Sequence, residues 1–253
     1  MSDRNDALWN LPEDNSLRSQ PRYLYWDICR QVFGDGHPLS ILEIGVYRGA
    51  LGSALNGQVS VRSYTGIDPY SGDLTDSYFH VYWSGKRGAQ SVYESTKTLY
   101  NKLGYRLERA RSASYWRLCD ETFDTIIIDG DHSFDFALWD MHHWFQRLVP
   151  DGLMLIDDYD NPDTPEVTKA TTEFLKRNAG LIANIGYRHF EFLNNDKIVP
   201  VGQSVVYVQK RSDAKVTKKL DFPAKPAFPN RVLRIARNVY RFFRALRRKS
   251  RSM

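Results

Sequence analysis

The chain has 253 residues, 42% of them hydrophobic, enough for one sizeable α/β core or two small ones. Its formal charge of +5 is unevenly placed: residues 221–253 hold ten Lys/Arg and one acid, so the tail carries +9 and the body −4. An acidic body argues against nucleic acid as a partner, and no apolar run approaches the roughly 20 residues of a bilayer span. The two cysteines, Cys29 and Cys119, stand in different segments and form neither a zinc motif nor a disulfide framework; they read as buried thiols of a cytoplasmic protein.

Residues 1–20 read as a polar N-terminal arm, with no basic start followed by an apolar stretch and so no signal peptide. Residues 21–34 carry Leu24, Ile28, Val32 and Phe33 at helical spacing and stop at Gly34. "LSILEIG", residues 39–45, is a short buried strand ending in glycine; 49–55 start a helix, and "RSYTGID", 62–68, is the second strand. Residues 69–88 are irregular and rich in aromatics, which suits a lid, a sugar-stacking wall or a packed insertion. The spacing then predicts a helix over 89–104 closed by Gly104, strands over 105–110 and 123–129, a helix over 137–149 and a strand over 152–158. A helix follows over 164–180, with Thr164 as N-cap and Pro165 at its first position, and strands at 189–194 and 203–210 close the domain. Alternating strands and helices predict a Rossmann-like, doubly wound, mostly parallel α/β sheet of about seven strands with helices on both faces. Such sheets bind ligands beyond the carboxyl ends of their strands, where acids follow strands one, two, four and five.

"ILEIGVYRGALG" sets Glu43, Gly45, Gly49 and Gly52 at the end of strand one. The glycines allow a tight turn and close ligand approach, although a turn that merely packs tightly has the same pattern. It is neither GxGxxG nor a phosphate loop, and an acid before the first glycine suits a cationic ligand better than a pyrophosphate. Asp68, in "TGIDPY", stands where a carboxylate would hold ribose hydroxyls, or is a turn aspartate before Pro69.

These residues carry a resemblance. "ILEIGVYRGALGSAL" resembles motif I of class I S-adenosylmethionine (SAM)-dependent methyltransferases, closest to the catechol O-methyltransferase type with its Glu-x-Gly-x-Tyr-x-Gly string. "FDTIIIDGDHSF" and "LVPDGLMLIDDYD" resemble strands four and five of that superfamily, and bacterial sugar and macrolide O-methyltransferases with DGD and DDY strings. The resemblance spans about 38–210 of a domain placed at 21–212. It implies that Glu43, Gly45 and Tyr47 lie against the methionine part of SAM, that Asp68 holds the ribose, that Ser112 and Ala113 line the adenine, and that Gly49 and Asp129 complete the cofactor site. Arg111 departs from the small or acidic residue usual beside the adenine.

The resemblance further implies a Mg²⁺ site at Asp129, Asp157 and Asp158, with Asp-Asp where the catechol type has Asp-Asn. Oxygen ligands suit this hard cation, and close carboxylates without one repel, so that one would hold a proton. His132 stands where catechol-type enzymes carry a lysine base, and an ordinary pKa of about 6.5 suits general-base work; with Asp129 it makes the catalytic pair. The other readings are a structural histidine and a metal-free site whose acids grip cofactor and substrate directly. His142 and His143, in mid-helix, read as packing or surface residues. No Pro-Pro-Tyr string follows strand four, which disfavours nucleobase methylation. The function read is SAM-dependent O-methylation of a saccharide or small natural product; the alternatives are a metal-free methyltransferase with His132 as base, a nicotinamide-dependent Rossmann oxidoreductase, and a non-catalytic module of this fold.

Residues 213–230 read as a proline-stiffened linker and 231–253 as a basic amphipathic helix. Val232, Ile235, Ala236, Val239, Phe242, Phe243 and Leu246 recur at helical spacing, and Arg234, Arg237, Arg241, Arg244 and Arg248 fill much of the other face. That pattern suits an anionic membrane surface on the cytoplasmic side, docking to a partner or to the body, or a solvated or nucleic-acid-binding tail.

Overall fold

The computed structural model describes residues 23–55, 59–70, 85–194 and 197–214, without the side chains of 23, 85, 86 and 189–203. The expected arm at 1–20, most of the aromatic stretch at 69–88 and the basic helix at 231–253 lie outside these residues. Within them run α1 (Tyr23–Phe33), β1 (Leu39–Ile44), α2 (Ala50–Leu55), β2 (Val61–Ile67), α3 (Gly85–Leu103), β3 (Arg106–Glu108), α4 (Ser112–Trp116), β4 (Phe123–Ile128), α5 (Phe134–Phe145), β5 (Leu148–Tyr159), α6 (Pro165–Asn178), a 3₁₀ turn (Ala179–Leu181), β6 (Ile182–Asn194) and β7 (Lys197–Lys210).

The strands form one seven-stranded sheet in the order β3-β2-β1-β4-β5-β7-β6. The pairs among β1 to β5 are parallel, and β7 runs antiparallel to both β5 and β6. Period-two alternation explains why the central strands are apolar almost throughout. Leu42, Ile44, Ile126, Ile128, Met154 and Ile156 face one core with α5 and α6. Ile41, Ile127, Leu153 and Leu155 face the other, with α1, α2 and Tyr100 of α3. Both faces are therefore dry, and each large side chain buried there contributes about 1.5–3 kcal/mol. Cys29 and Cys119 are free, buried thiols, as expected.

Several boundaries differ from the sequence reading. Helix α5 begins at Phe134, because the Asp131 carboxylate accepts the Ser133 N–H (2.9 Å) and the helix can start directly after that turn. Leu148 leaves the expected helix for β5 because it pairs with Phe123 of β4. Thr164 occupies the N-cap position of α6 without a side-chain cap: its hydroxyl donates to the Asp158 carbonyl (3.5 Å) instead. Strand β6 is about twice the expected length and β7 starts six residues earlier than expected; "IANIGYR" hid its strand behind polar residues and Gly186, whose missing side chain makes room for the cross-strand ring of Tyr207. His142 is buried against Phe174 and His143 stacks on Trp139 at 3.8 Å, so both pack. Among the described residues, no helix is long and apolar enough to cross a membrane.

Candidate active site

The carboxyl ends of β1, β2, β4 and β5 meet on one rim. The Gly45 N–H donates to the Ile67 carbonyl and the Asp129 N–H to the Ile44 carbonyl, both at 2.9 Å, so the strand ends are stitched together where the chain leaves them. Gly45 has φ +93°, and a Cβ there would lie 1.8 Å from the Asp129 carbonyl oxygen. Glycine is thus required both by conformation and by the approach of two strand ends.

Tyr47 follows with φ +51°, and its N–H donates to Asp68 Oδ2 (2.9 Å). Tyr70, at φ +42°, donates its N–H to Asp68 Oδ1 (2.9 Å). Asp68 therefore ties the turn after β1 to the turn after β2. Glu43 is 1% exposed, and its Oε2 accepts the hydroxyls of Tyr64 (2.8 Å) and Tyr100 (2.6 Å). A carboxylate so buried needs such charge-assisted donors.

Ser112 and Ala113 open α4 and are half-buried. The Ser112 hydroxyl donates to Asp140 of α5 and accepts the Trp144 indole N–H (2.6 Å). Burial pushes the Asp140 carboxyl up to about 7; the Ser112 hydrogen bond opposes this and Asp131 adds to it. The sign follows: a carboxyl held above its unfolded value favours the protonated native state, so stability falls as pH rises from about 4 to about 7 and is level above. Asp140→Asn removes that slope. In urea melts it should gain about 2–4 kcal/mol relative to wild type between pH 4 and pH 8; an equal difference at both pH values would show that Asp140 titrates normally.

The acids after β4 and β5 gather around His132. Its Nε2 lies 2.7 Å from Asp158 Oδ2 and 3.8 Å from Asp129 Oδ1. Asp158, at φ +59°, also accepts the Asn161 side-chain N–H at Oδ1 (2.7 Å). Asp157 accepts the Asp158 N–H (2.8 Å) and the hydroxyl of Tyr25, reaching over from α1. Burial opposes charge on His132, but its bonds to Asp129 and Asp158 prevail and push it up to about 10, well above the ordinary value. Burial and the charges of Asp129 and Asp158 push Asp157 up to about 8. Burial also raises Asp158, but the His132 bond outweighs it and holds Asp158 below the ordinary range. Among the described residues, one group of ligand-type side chains could share an ion: Asp129, His132 and Asp158, whose ligand atoms lie within 4.8 Å of one another. Asp157 stands beside this group and outside it.

The rim thus brings together Gly45 with Asp129, Tyr47 with Asp68, and Asp129 with His132 and Asp158. Sequence reasoning missed Tyr25, Tyr64, Tyr100, Asp140, Trp144 and Asn161. Only Asn161 carried a local signal, as a polar turn residue three positions after Asp158; the others reach the rim from separate helices and strands.

Residues 42–159, from β1 to the end of β5, match the family model described as "Methyltransferase domain". With the seven-stranded order above, this gives the chain a methyltransferase domain of Rossmann-like fold over residues 42–159. It is similar to a solved structure described as an rRNA methylase from Clostridium thermocellum, at 12% identity and a TM-score of 0.52, covering 76% of this chain and 96% of that one. It is also similar to the N-methyltransferase NodS from Bradyrhizobium japonicum WM9 in complex with S-adenosylhomocysteine, at 13% identity and a TM-score of 0.50, covering 82% and 97%. At such identities the two structures show the fold. No curated protein matches significantly.

Proposed function

We propose that this methyltransferase transfers the SAM methyl group to a hydroxyl of a saccharide or small natural product, assisted by a divalent cation, Mg²⁺ by the chemistry of the acids. The observation that carries the reading is the convergence of Asp129, His132 and Asp158 within 4.8 Å on the rim. The donor set fits a cation: two carboxylates and an imidazole, with the Asp157 carboxyl beside them, stand where shared positive charge relieves mutual repulsion. Asp129 and Asp158 would hold the ion, with Asp157 beside them but outside the group, held by Tyr25 and the Asp158 N–H. A cation there lowers the pKa of an acceptor hydroxyl and orients it.

The chain's own residues do the rest. Gly45, Tyr47 and Gly49 shape the turn that seats the methionine end, with Glu43 beneath it; Asp68 takes the ribose, and Ser112 and Ala113 border the adenine. The acceptor oxygen attacks the methyl carbon, the carbon–sulfur bond breaks and its electron pair stays on sulfur. Asp129 and Asp158 hold His132 protonated up to about 10, not at the ordinary 6.5, so it would take the hydroxyl proton only from the neutral form that a cation on those two acids would favour. The 2.7 Å contact between His132 and Asp158 also supports a second reading, a metal-free histidine–carboxylate pair.

Calorimetry with S-adenosylhomocysteine, in EDTA and then in Mg²⁺, tests both. Binding in the micromolar range is expected in either condition, with Mg²⁺ binding lost in Asp158→Ala. Cofactor binding without any Mg²⁺ binding would select the metal-free pair, and no cofactor binding at all would remove the reading.

The basic segment at 231–251 supports a second partner, an anionic membrane surface. The full chain is expected to sediment with vesicles containing phosphatidylglycerol and not with phosphatidylcholine alone, and to be released at high salt. Equal sedimentation with both would rule out charge-driven docking. No nucleic acid is proposed as a partner.

A further inference from the structure

One aromatic side chain packs behind the turn after β1. Tyr100, in α3, is fully buried, and its hydroxyl donates to Glu43 Oε2 (2.6 Å). A Cβ added at Gly49 would lie 2.7 Å from its Cε2, at Gly66 2.8 Å from its Cε1, and at Gly52 3.0 Å from its hydroxyl oxygen. These glycines belong to the turn after β1, to β2 and to α2, so one ring fills the space that three elements leave. Tyr64 and Tyr105 pack edge-on against it, both with centroids 5.8 Å away. One turn earlier in α3, the Thr96 hydroxyl donates to the Tyr47 carbonyl (3.2 Å), so the same helix face holds the turn at a second point.

We infer that Tyr100 is a positioning residue for the cofactor turn. It fixes the Glu43 carboxylate and the Gly45–Gly49 backbone together, and thereby sets the affinity for the sulfonium cofactor without touching it. The inference rests on the reading that residues 43–49 seat SAM. Its logic is geometric: between Gly45 and Gly49 the turn carries Tyr47 in left-handed conformation, which a non-glycine residue keeps only where the surroundings over-determine it.

Tyr100→Phe keeps the ring and removes one hydroxyl. By calorimetry at a temperature well below the melting transition, its affinity for S-adenosylhomocysteine should fall ~10-fold, as for loss of a hydrogen bond to a charged group. Gly52→Ala supplies a readout that general destabilisation does not move. Its Cβ meets the Tyr100 hydroxyl at 3.0 Å but the ring carbon Cζ only at 3.3 Å. The alanine should therefore weaken binding less in the Tyr100→Phe background than in wild type, a coupling that the double-mutant cycle measures. Affinity within twofold of wild type in Tyr100→Phe, or strict additivity in the cycle, would overturn the inference. Wild-type protein that fails to bind S-adenosylhomocysteine would overturn the cofactor reading beneath it, and the inference with it.

Discussion

Gly45→Ala is expected to lower the melting temperature by ~10 °C and the affinity for S-adenosylhomocysteine at least ~100-fold. Two costs add. A side chain in the left-handed region costs about 1–2 kcal/mol. The larger cost is steric: the new Cβ would sit 1.8 Å from the Asp129 carbonyl oxygen and 2.5 Å from its carbon, both backbone atoms that no rotamer change can move. The ends of β1 and β4 must separate, which breaks the 2.9 Å hydrogen bond from the Asp129 N–H to Ile44. About 3–5 kcal/mol in total, at roughly 2–4 °C per kcal/mol for a domain of this size, gives the shift. Gly104→Ala is the control. It shares the left-handed backbone, at φ +72°, but nothing lies within 4 Å of its added Cβ, so it should lose only about 1 kcal/mol and bind cofactor normally. Calorimetry and thermal melts on both variants separate conformational strain from close approach. Equal, small effects would mean that β1 does not end against Asp129.

The contrast between these glycines shows what the sequence could and could not reveal. The turn "EIGVYRG" announces glycines, but not which one is pressed against a neighbouring strand, because Asp129 is far away in sequence. The succession of strands and helices along the chain was legible because buried parallel strands are apolar on both faces and their ends are marked by acids. The first half of strand β6 was not, because an edge strand with one wet face carries polar residues and a glycine whose partner, Tyr207, lies on another strand. The rim acids Asp68, Asp129, Asp157 and Asp158 were visible as strand-ending residues. Their sorting was not: Asp157 turns toward Tyr25 of α1 while Asp158 takes His132, a choice made by the left-handed backbone at Asp158 and by a helix more than a hundred residues earlier. Likewise Glu43 read as a cofactor contact by its place in the motif, whereas its burial comes from Tyr64 and Tyr100, which no local pattern joins to it.

His132→Ala carries the second large effect: methyl transfer to the acceptor should fall about 10²–10⁴-fold, the range for loss of a general acid–base group, while affinity for S-adenosylhomocysteine stays within about threefold. The histidine stands against Asp129 and Asp158, while Asp68 is held by the N–H groups of Tyr47 and Tyr70, so removing it should spare cofactor binding. The variant also separates the two ways an imidazole can serve beside Asp129 and Asp158. A base that only accepts the hydroxyl proton leaves the ion's oxygen ligands intact, so Mg²⁺ affinity should survive in His132→Ala and be lost in Asp158→Ala. An imidazole that ligates the ion takes Mg²⁺ affinity with it. Transfer of the radiolabelled methyl group to a panel of monosaccharide and polyphenol acceptors, run beside Mg²⁺ titrations of both variants, gives the answer. Full activity in His132→Ala would remove the histidine from the chemistry and leave its 2.7 Å contact with Asp158 as a structural pair.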